Sequence, residues 1–300
     1  MIFYEKKSSN KVHGHNEIHM SKAKNKFLKQ LKKFAKTLTE YVSTNSGEWS
    51  IKGFIDVEEN IYTISSDSKI ISKILEIQLF PKFKEFAEAN GYDIVLAEKQ
   101  NWYPDLSFVN QKNPKLKFAV DIKTTYRLED YAGFCNGFTL GSHGEYFRNR
   151  TSTKNIQFPY SEYEAHLSLG VLYTRAISTD IDETEILRLS ELDNITSVIK
   201  DLVFFAEEKW KISSDKGGSG NTANIGSIHY IEDILKGNGV FTNLGEAIFD
   251  EYWINQGVLQ VPDPKKKGGF KKLTKLSEFL EFKGMDTSLI NTPKPKRKNK

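Results

Sequence analysis

The chain has 300 residues, 38% of them hydrophobic and 12% aromatic, which is enough for a buried core in one large domain or two ordinary ones. Its single cysteine, Cys135, excludes an intrachain disulfide and a cysteine-based zinc site, and is typical of a reducing cytoplasm. No apolar run approaches the roughly 18 residues of a membrane span and no signal-peptide core is evident, so we expect a cytoplasmic protein with no membrane partner.

The net charge of +4 is unevenly distributed along the chain. Residues 1–38 and 260–300 carry +8 each, which leaves the middle at −12. Basic ends on an acidic body fit a polyanion partner, although lysine-rich ends that serve only solubility have the same pattern. The predicted divisions are a disordered extension over 1–19, a folded domain over 20–260, and a basic C-terminal extension over 261–300 whose end is disordered.

The first third of the chain predicts two helices separated by strands. Apolar residues at three- and four-residue spacing over 27–42 predict an amphipathic helix with a lysine-rich outer face. Such a helix can lie on DNA or a membrane, or pack on its own domain or a second subunit. Residues 51–64 predict strands around a turn, and 69–91 predict a second helix that Pro81 interrupts or restarts.

Two short strands bring acidic residues together. The segment 118–123 alternates between apolar residues and a face that carries Asp121 and Lys123. Asp105 precedes another apolar run, 106–109, and the polar gap between the two runs suits a hairpin turn. Paired as neighbouring strands, the runs place Asp105 next to Asp121.

Two close carboxylates repel each other, which implies a bound cation. Mg²⁺ prefers oxygen ligands, and a lysine beside it can orient an attacking water or stabilise negative charge on phosphorus. These parts describe metal-assisted hydrolysis of a phosphodiester. The spacing by itself, however, is more typical of a solvated hairpin face than of an active site.

The middle of the chain is rich in loops and then in apolar residues. Arg148, Arg150 and Lys154 lie in or beside a glycine-rich segment and suit phosphate contacts, or equally a solvated loop. Residues 160–175 predict a helix with a broad apolar face, in which His166 is a core histidine with its hydrogen bonds satisfied. Further predictions are a peripheral segment over 180–199, a strand over 203–212, a helical segment over 230–253, a basic linker over 262–269 and a short helix over 273–282.

A second unusual stretch, 217–226, alternates glycines with small hydrogen-bonding side chains. It lacks the Gly-Lys-Ser/Thr ending of a nucleotide-phosphate loop and the glycine spacing of a dinucleotide fingerprint. Glycines allow close approach of the backbone to a ligand, and Asn can pair with an adenine edge in the major groove. The composition also fits an ordinary flexible turn.

Taken together, these motifs resemble type II restriction endonucleases of the PD-(D/E)xK superfamily. The resemblance extends from about residue 53 to about residue 253, and its last matching run is long and absent from most other nucleases of the superfamily. The matching runs are Tyr103-Pro-Asp105, Asp121-Ile-Lys-Thr-Thr-Tyr126, Phe138-Thr-Leu-Gly141, Thr153-Lys-Asn-Ile156, Tyr173-Thr-Arg175 and Gly218-Ser-Gly-Asn-Thr-Ala-Asn-Ile-Gly-Ser-Ile-His229.

The resemblance implies an α/β fold, with a mixed central sheet flanked by helices, and a homodimer with dimerisation elements near 27–70. Such an enzyme cuts both strands of duplex DNA within a GATATC-type palindrome and leaves blunt ends with 5′ phosphates. It uses one or two Mg²⁺ per active site. A DNA methyltransferase of the same system is its functional partner. The implied metal ligands are Asp105, Asp121 and Glu76, beside the catalytic lysine Lys123.

The resemblance also assigns residues around the catalytic centre. Asp67 and Lys69 fall on a segment that links the dimer interface to the site, and Lys154 matches a lysine near the phosphate backbone. The family pattern is broken at Lys99, at Trp102 and over 127–150, which affects minor-groove and flanking contacts. The implied DNA-recognition residues are Gly218, Ser219, Gly220, Asn221, Thr222, Asn224, Gln100 and Asn101.

Two other classes of protein share parts of this pattern. A structure-selective repair or recombination nuclease has the same catalytic core but no sequence preference, and the 218–224 loop argues against it. A non-catalytic DNA-binding protein needs none of the three core residues, all of which are present here. Cleavage of plasmid DNA in the presence of Mg²⁺ separates the second class from both kinds of nuclease.

Overall fold

The computed structural model describes residues 13–99, 101–176, 182–218, 223–263 and 268–295, with side chains from Lys22 onward. The helices are α1 (His13–Val42), α2 (Ser68–Asn90), α3 (Glu145–Arg148), α4 (Ile231–Lys236), α5 (Glu246–Asn255) and α6 (Leu276–Phe282). The strands are β1 (Gly53–Ile55), β2 (Asn60–Thr63), β3 (Tyr92–Leu96), β4 (Leu106–Asn110), β5 (Lys117–Tyr126), β6 (Thr139–Ser142), β7 (Tyr163–Arg175), β8 (Ile186–Arg188), β9 (Ile199–Glu208), β10 (Ser213–Gly217), β11 (Asn224–Ser227), β12 (Gln260–Pro262) and β13 (Phe270–Lys272).

A mixed sheet of five strands forms the centre of the fold, in the order β3-β4-β5-β7-β9. β3, β4 and β5 are antiparallel neighbours, β5 and β7 run parallel, and β7 and β9 are antiparallel. Helices cover this sheet, so the predicted α/β class is confirmed. The predicted hairpin of β4 and β5 is also observed, with Leu106 opposite Val120.

One face of the sheet packs against α1 and α2. The ring of Phe27 from α1 stacks on Phe118 of β5, with 4.1 Å between the ring centroids. Phe118, Val120 and Ile122 all belong to this core, whereas Ala119 belongs to the core on the opposite face. The alternation predicted for β5 is therefore present, and it places Asp121 and Lys123 on the side of the strand opposite to the α1–α2 core.

The opposite face packs against the second half of the chain. Buried side chains from α5 and α6 fill this second core, together with residues from β6 and α3. The C-terminal segment predicted as an extension contributes Leu273, Leu276, Phe279 and Leu280, all of which are buried. Much of 268–291 is therefore part of the folded body, because its apolar residues complete this core.

Three local predictions are wrong. Residues 163–175 form β7 and not a helix: this central strand is covered on both faces, so its apolar residues are nearly continuous and lose the period of two. Pro81 lies within an unbroken α2, whose buried neighbours Leu79 and Phe83 hold the helix against the core. α1 begins at His13, inside the segment predicted to be disordered.

Other segments differ in detail from the predictions. The strand predicted over 203–212 is β9, which ends at Glu208 and is followed by a 3-10 turn over Lys209–Ile212. The helical segment predicted over 230–253 is two short helices, α4 and α5. The peripheral segment near 180–199 contributes β8, which joins β1 and β2 in a separate antiparallel sheet.

Candidate active site

The two predicted carboxylates meet where β4 begins beside β5. The N–H of Ile122 donates to Oδ2 of Asp105 at 2.7 Å, and the N–H of Asp105 donates to Oδ1 of Asp121 at 3.3 Å. The Nζ atom of Lys123 lies 2.9 Å from Oδ2 of Asp121. The antiparallel register of the two strands thus brings all three core residues into one cluster.

Burial and the charges of neighbouring residues shift the pKa values of Asp105 and Lys123. Burial, followed by the charge of Asp121, raises the pKa of Asp105 from 3.8 to about 6. Burial lowers the pKa of Lys123, but the charges of Asp121 and Asp105 outweigh it, so that the net pKa is raised and the ammonium form is favoured. Asp105 is therefore a carboxylate that gains from a nearby cation.

This donor set fits a hard divalent cation such as Mg²⁺. Two aspartate carboxylates supply oxygen ligands, and a bound cation would offset both the burial and the repulsion from Asp121 that raise the pKa of Asp105. No group of three or more His, Cys, Asp or Glu in metal-binding geometry occurs within the described ranges. The third predicted ligand, Glu76, forms an ion pair with Lys73 at 2.7 Å.

A cleft of about 1100 Å³ lies in front of this cluster. Asp105 and Lys123 line it, and Glu76 reaches it from α2. Asn101, predicted to approach the minor groove, also lines this cleft, and so does Lys69 of the segment predicted to link the dimer interface to the site. The structure therefore brings residues from four separated parts of the chain to one open cleft.

The predicted recognition loop begins and ends on a paired hairpin. β10 and β11 are antiparallel, and the N–H of Gly218 donates to the carbonyl of Asn224 at 2.8 Å, which closes the loop at its root. The strand β11 also pairs with β6, whose first residue, Thr139, lines the cleft. We call residues 213–227 the recognition hairpin. Ser219, Gly220, Asn221 and Thr222, together with Gln100, lie outside the described residues.

The three predicted phosphate-contacting residues have different surroundings. Lys154 is exposed, and the chain beside it runs along the active site, since the N–H of Tyr103 donates to the carbonyl of Asn155 at 3.1 Å. Arg148 is exposed and its guanidinium donates to the carbonyl of Gln256 at 3.3 Å. Arg150 is instead held within the fold.

The guanidinium of Arg150 is 2.8 Å from Oδ1 of Asp250 and lies 4.7 Å from the ring centroid of Tyr160. These contacts argue against the phosphate contact predicted for it. Asp67 is the N-cap of α2, where its carboxylate accepts from the N–H of Lys69 at 2.7 Å. Asp67 therefore caps and stabilises the start of α2, the helix that carries Glu76.

Sequence reasoning missed a buried lysine behind the active site. Lys209 is 1% exposed, and its Nζ atom has no hydrogen-bond partner among the described residues. The ammonium lies 4.2 Å from the ring centroid of Tyr103, two residues before Asp105. Burial lowers the pKa of Lys209 to about 8, against the opposing charge of Asp121. Its charged neighbours in sequence are typical of an exposed turn and contain no signal of this position.

His166 is a satisfied core histidine, as predicted. Its Nδ1 atom is 2.9 Å from the hydroxyl of Tyr103, and its Nε2 atom is 3.2 Å from the carbonyl of Tyr160. Burial, followed by the charges of Lys209 and Arg150, lowers the pKa of His166 well below its usual range. The ring is therefore neutral, and it supports Tyr103, which lies two residues before Asp105.

Two comparisons with known proteins found similar sequences. The family model for restriction endonuclease EcoRV matches residues 45–284, a range that includes every site residue described above. The type II restriction enzyme EcoRV of Escherichia coli is 37% identical over 209 residues, which cover 69% of this chain and 82% of that enzyme. No helix within the described ranges is both long and apolar enough to cross a membrane.

Proposed function

Because this chain belongs to the EcoRV family of type II restriction endonucleases, we propose that it cuts both strands of duplex DNA within a short palindrome and uses Mg²⁺ to do so. It is a site-specific deoxyribonuclease. The observation that supports the catalytic assignment is the cluster of Asp105, Asp121 and Lys123 at the edge of an open cleft. Asp105 and Asp121 are the proposed metal ligands, and Glu76 is an auxiliary ligand once it leaves Lys73.

The protein's own groups have separate tasks in hydrolysis. Bound Mg²⁺ supplies positive charge at the phosphate and lowers the pKa of a water. Lys123, whose raised pKa keeps it protonated beside Asp121, orients that water and stabilises the negative charge on phosphorus. The water oxygen forms a bond to phosphorus as the bond to the 3′ oxygen breaks, so that the products are a 5′ phosphate and a 3′ hydroxyl.

The proposed recognition sequence is GATATC, cut to blunt ends. Support comes from the run Gly218–His229, in which Asn221 is the candidate for a two-pronged contact with an adenine edge. The described root of this hairpin borders the cleft through β6, which fits a loop that enters the major groove. Gln100 and Asn101 are proposed to approach the minor groove, and Lys154 and Arg148 to contact phosphates.

A homodimer is the proposed assembly, since cutting both strands of a palindrome calls for two related active sites. The sheet of β1, β2 and β8 exposes large apolar side chains: Phe54 is 52% exposed, Ile55 57% and Ile186 58%. Exposed apolar side chains on one small sheet are typical of a protein–protein interface. The apolar face of α1 is buried in its own core, so within 27–70 the candidate surface is this sheet.

Digestion of a fully sequenced plasmid tests the proposal. With Mg²⁺ we expect discrete blunt fragments that end at GATATC, and no cutting by Asp121→Asn, which keeps the shape but removes the charge of one ligand. Asp93→Asn, an exposed carboxylate on β3, is the matched control and should cut normally. Discrete fragments at another palindrome would keep the mechanism but overturn the site, whereas a smear would favour a repair-type nuclease.

Intact plasmid at all divalent-metal conditions would favour a DNA-binding protein without catalysis. We also propose a cytoplasmic location for the protein. A DNA methyltransferase of the same system is proposed as its functional partner, because unprotected host DNA would be cut. Methylation of the plasmid within the mapped site before digestion tests this second point. Protection of the methylated plasmid is the expected result.

A further inference from the structure

The lysines of α1 divide into an inner pair and an outer row. Lys24 pairs with Glu246 and Glu208, and Lys32 pairs with Glu207, so both are neutralised beside the end of β9. The other five lysines are exposed, and none lies within 4.0 Å of a carboxylate of the described residues. We call these five the lysine row: Lys22, Lys26, Lys29, Lys33 and Lys36.

The spacing of the lysine row places its members on one line. Successive members are four, three, four and three residues apart, which is the spacing of neighbours along one face of a helix. At 1.5 Å per residue the row is about 21 Å long. Like charges at these separations destabilise a helix, and 22–39 contains no Asp or Glu to offset them. An anionic partner would relieve this repulsion.

The apolar face of α1 indicates which kind of anionic partner the lysine row can bind. Its apolar face is already buried, with Phe27, Leu31 and Leu38 at 0% exposure. No apolar stripe of the described part of the helix is therefore left to enter a bilayer, as a membrane-surface helix requires. Charge without apolar surface instead suits the phosphate backbone of a nucleic acid, which this family already binds as substrate.

The position of the row separates it from the catalytic cleft. None of its five members is among the described residues that line the cleft. α1 ends at Val42, before residue 45 where the family match begins, so the row lies outside the part shared with the family. We propose that the lysine row binds the phosphate backbone of duplex DNA outside the recognition sequence. This contact strengthens non-specific binding and adds to its dependence on salt.

Salt titration of DNA binding tests the row. The variant carries Lys26→Gln, Lys29→Gln and Lys33→Gln, and the control carries Lys84→Gln, Lys112→Gln and Lys115→Gln, three exposed lysines elsewhere. Fluorescence anisotropy with a 40-base-pair duplex that lacks the site, without divalent metal, gives Kd over a range of salt. Each phosphate contact contributes about 0.9 to the slope of log Kd against log salt, so the variant should lose roughly two to three.

The control variant should keep the wild-type slope, and the triple Lys→Arg variant should restore it because charge is retained. An unchanged slope in the row variant would overturn the proposal, and so would an equal loss in the control. Binding to vesicles that contain phosphatidylserine, lost in the row variant while DNA binding is unaffected, would also overturn it. Because cleavage is not measured, the result is independent of the recognition sequence and of the metal assigned above.

Discussion

At the scale of single residues, the proposed catalytic cluster of Asp105, Asp121 and Lys123 is held in an electrostatically unfavourable state. Asp105 is partly buried beside Asp121, and the ammonium of Lys123 and the N–H of Ile122 offset only part of the two negative charges. Burial, followed by repulsion from Asp121, raises the pKa of Asp105, since both favour its protonated form. Binding of a cation and binding of a proton therefore compete for the same carboxylate.

This competition predicts a pH-dependent effect of the metal on stability. The pKa of Asp105 rises from 3.8 to about 6 on folding, so its stabilising contribution is present below 3.8 and is lost as the pH rises through 6. We expect Mg²⁺ to raise the Tm little at pH 5 and clearly at pH 7.5, measured by thermal unfolding with and without metal. Asp105→Asn should lose most of this difference, and a metal effect independent of pH would contradict the assignment.

Lys209 predicts a second, opposite dependence on pH. Burial lowers its pKa from 10.5 to about 8, so its contribution to stability is present above 10.5 and is lost as the pH falls through 8. The unfolding free energy of the wild type relative to Lys209→Met should therefore rise by a few kcal/mol between pH 7 and 10.5, at about 1.4 kcal/mol per unit of pKa. Denaturant titrations over this range measure it, and a constant difference would show that the amine is not buried as described.

At the scale of elements, the recognition hairpin depends on a close backbone approach. A Cβ atom at Gly226 would lie 2.8 Å from the carbonyl oxygen of Lys216, a distance that real Cβ atoms essentially never show. At Gly217 the nearest atom would be 3.5 Å away, which is ordinary contact. The two glycines lie on the paired strands β10 and β11 and so form a matched pair for mutation.

We predict that Gly226→Ala distorts the hairpin and weakens sequence discrimination, because the strand must shift where backbone meets backbone. The expected loss of stability is about 1–3 kcal/mol, the usual range for a strained core substitution. Gly217→Ala should remain close to wild type in both respects. Cleavage rates on cognate and singly altered duplexes, with unfolding titrations, compare the two variants, and equal behaviour would contradict the proposed constraint.

At the scale of the whole molecule, the arrangement of exposed apolar residues determines the expected assembly. The sheet of β1, β2 and β8 carries Phe54 and Ile186 on its surface, whereas the exposed Phe270 lies on the separate hairpin of β12 and β13. An apolar surface loses its favourable burial when a charge is placed on it. A charge placed on the sheet of β1, β2 and β8 should therefore disturb the proposed interface, whereas a charge at Phe270 should have no effect on assembly.

Ile186→Lys combined with Phe54→Lys should convert the proposed dimer into a monomer and reduce double-strand cutting by at least tenfold. Phe270→Lys, which adds a charge at a residue that is 68% exposed, should leave both properties intact. Light scattering after size-exclusion chromatography gives the mass of each variant. A wild-type protein that is monomeric at micromolar concentration would overturn the proposed assembly.

The sequence alone determined those parts of the site that depend on local periodicity. The strand pattern of 118–123 predicted which face carries Asp121 and Lys123, and the hairpin spacing predicted the neighbouring Asp105. The helix of 27–42 followed from the same reasoning, because a period of two or of 3.6 is imposed by backbone geometry. The recognition run was identified from its composition and resemblance.

Only the tertiary structure decided which residues are covered on every side. β7 is covered on both faces, so its sequence contains no alternation to separate a strand from a helix. The burial of Lys209, the pairing of Arg150 with Asp250 and the packing of Leu276 depend on neighbours far away in the chain. A local pattern determines the direction of a side chain, but its surroundings are created when distant segments pack together.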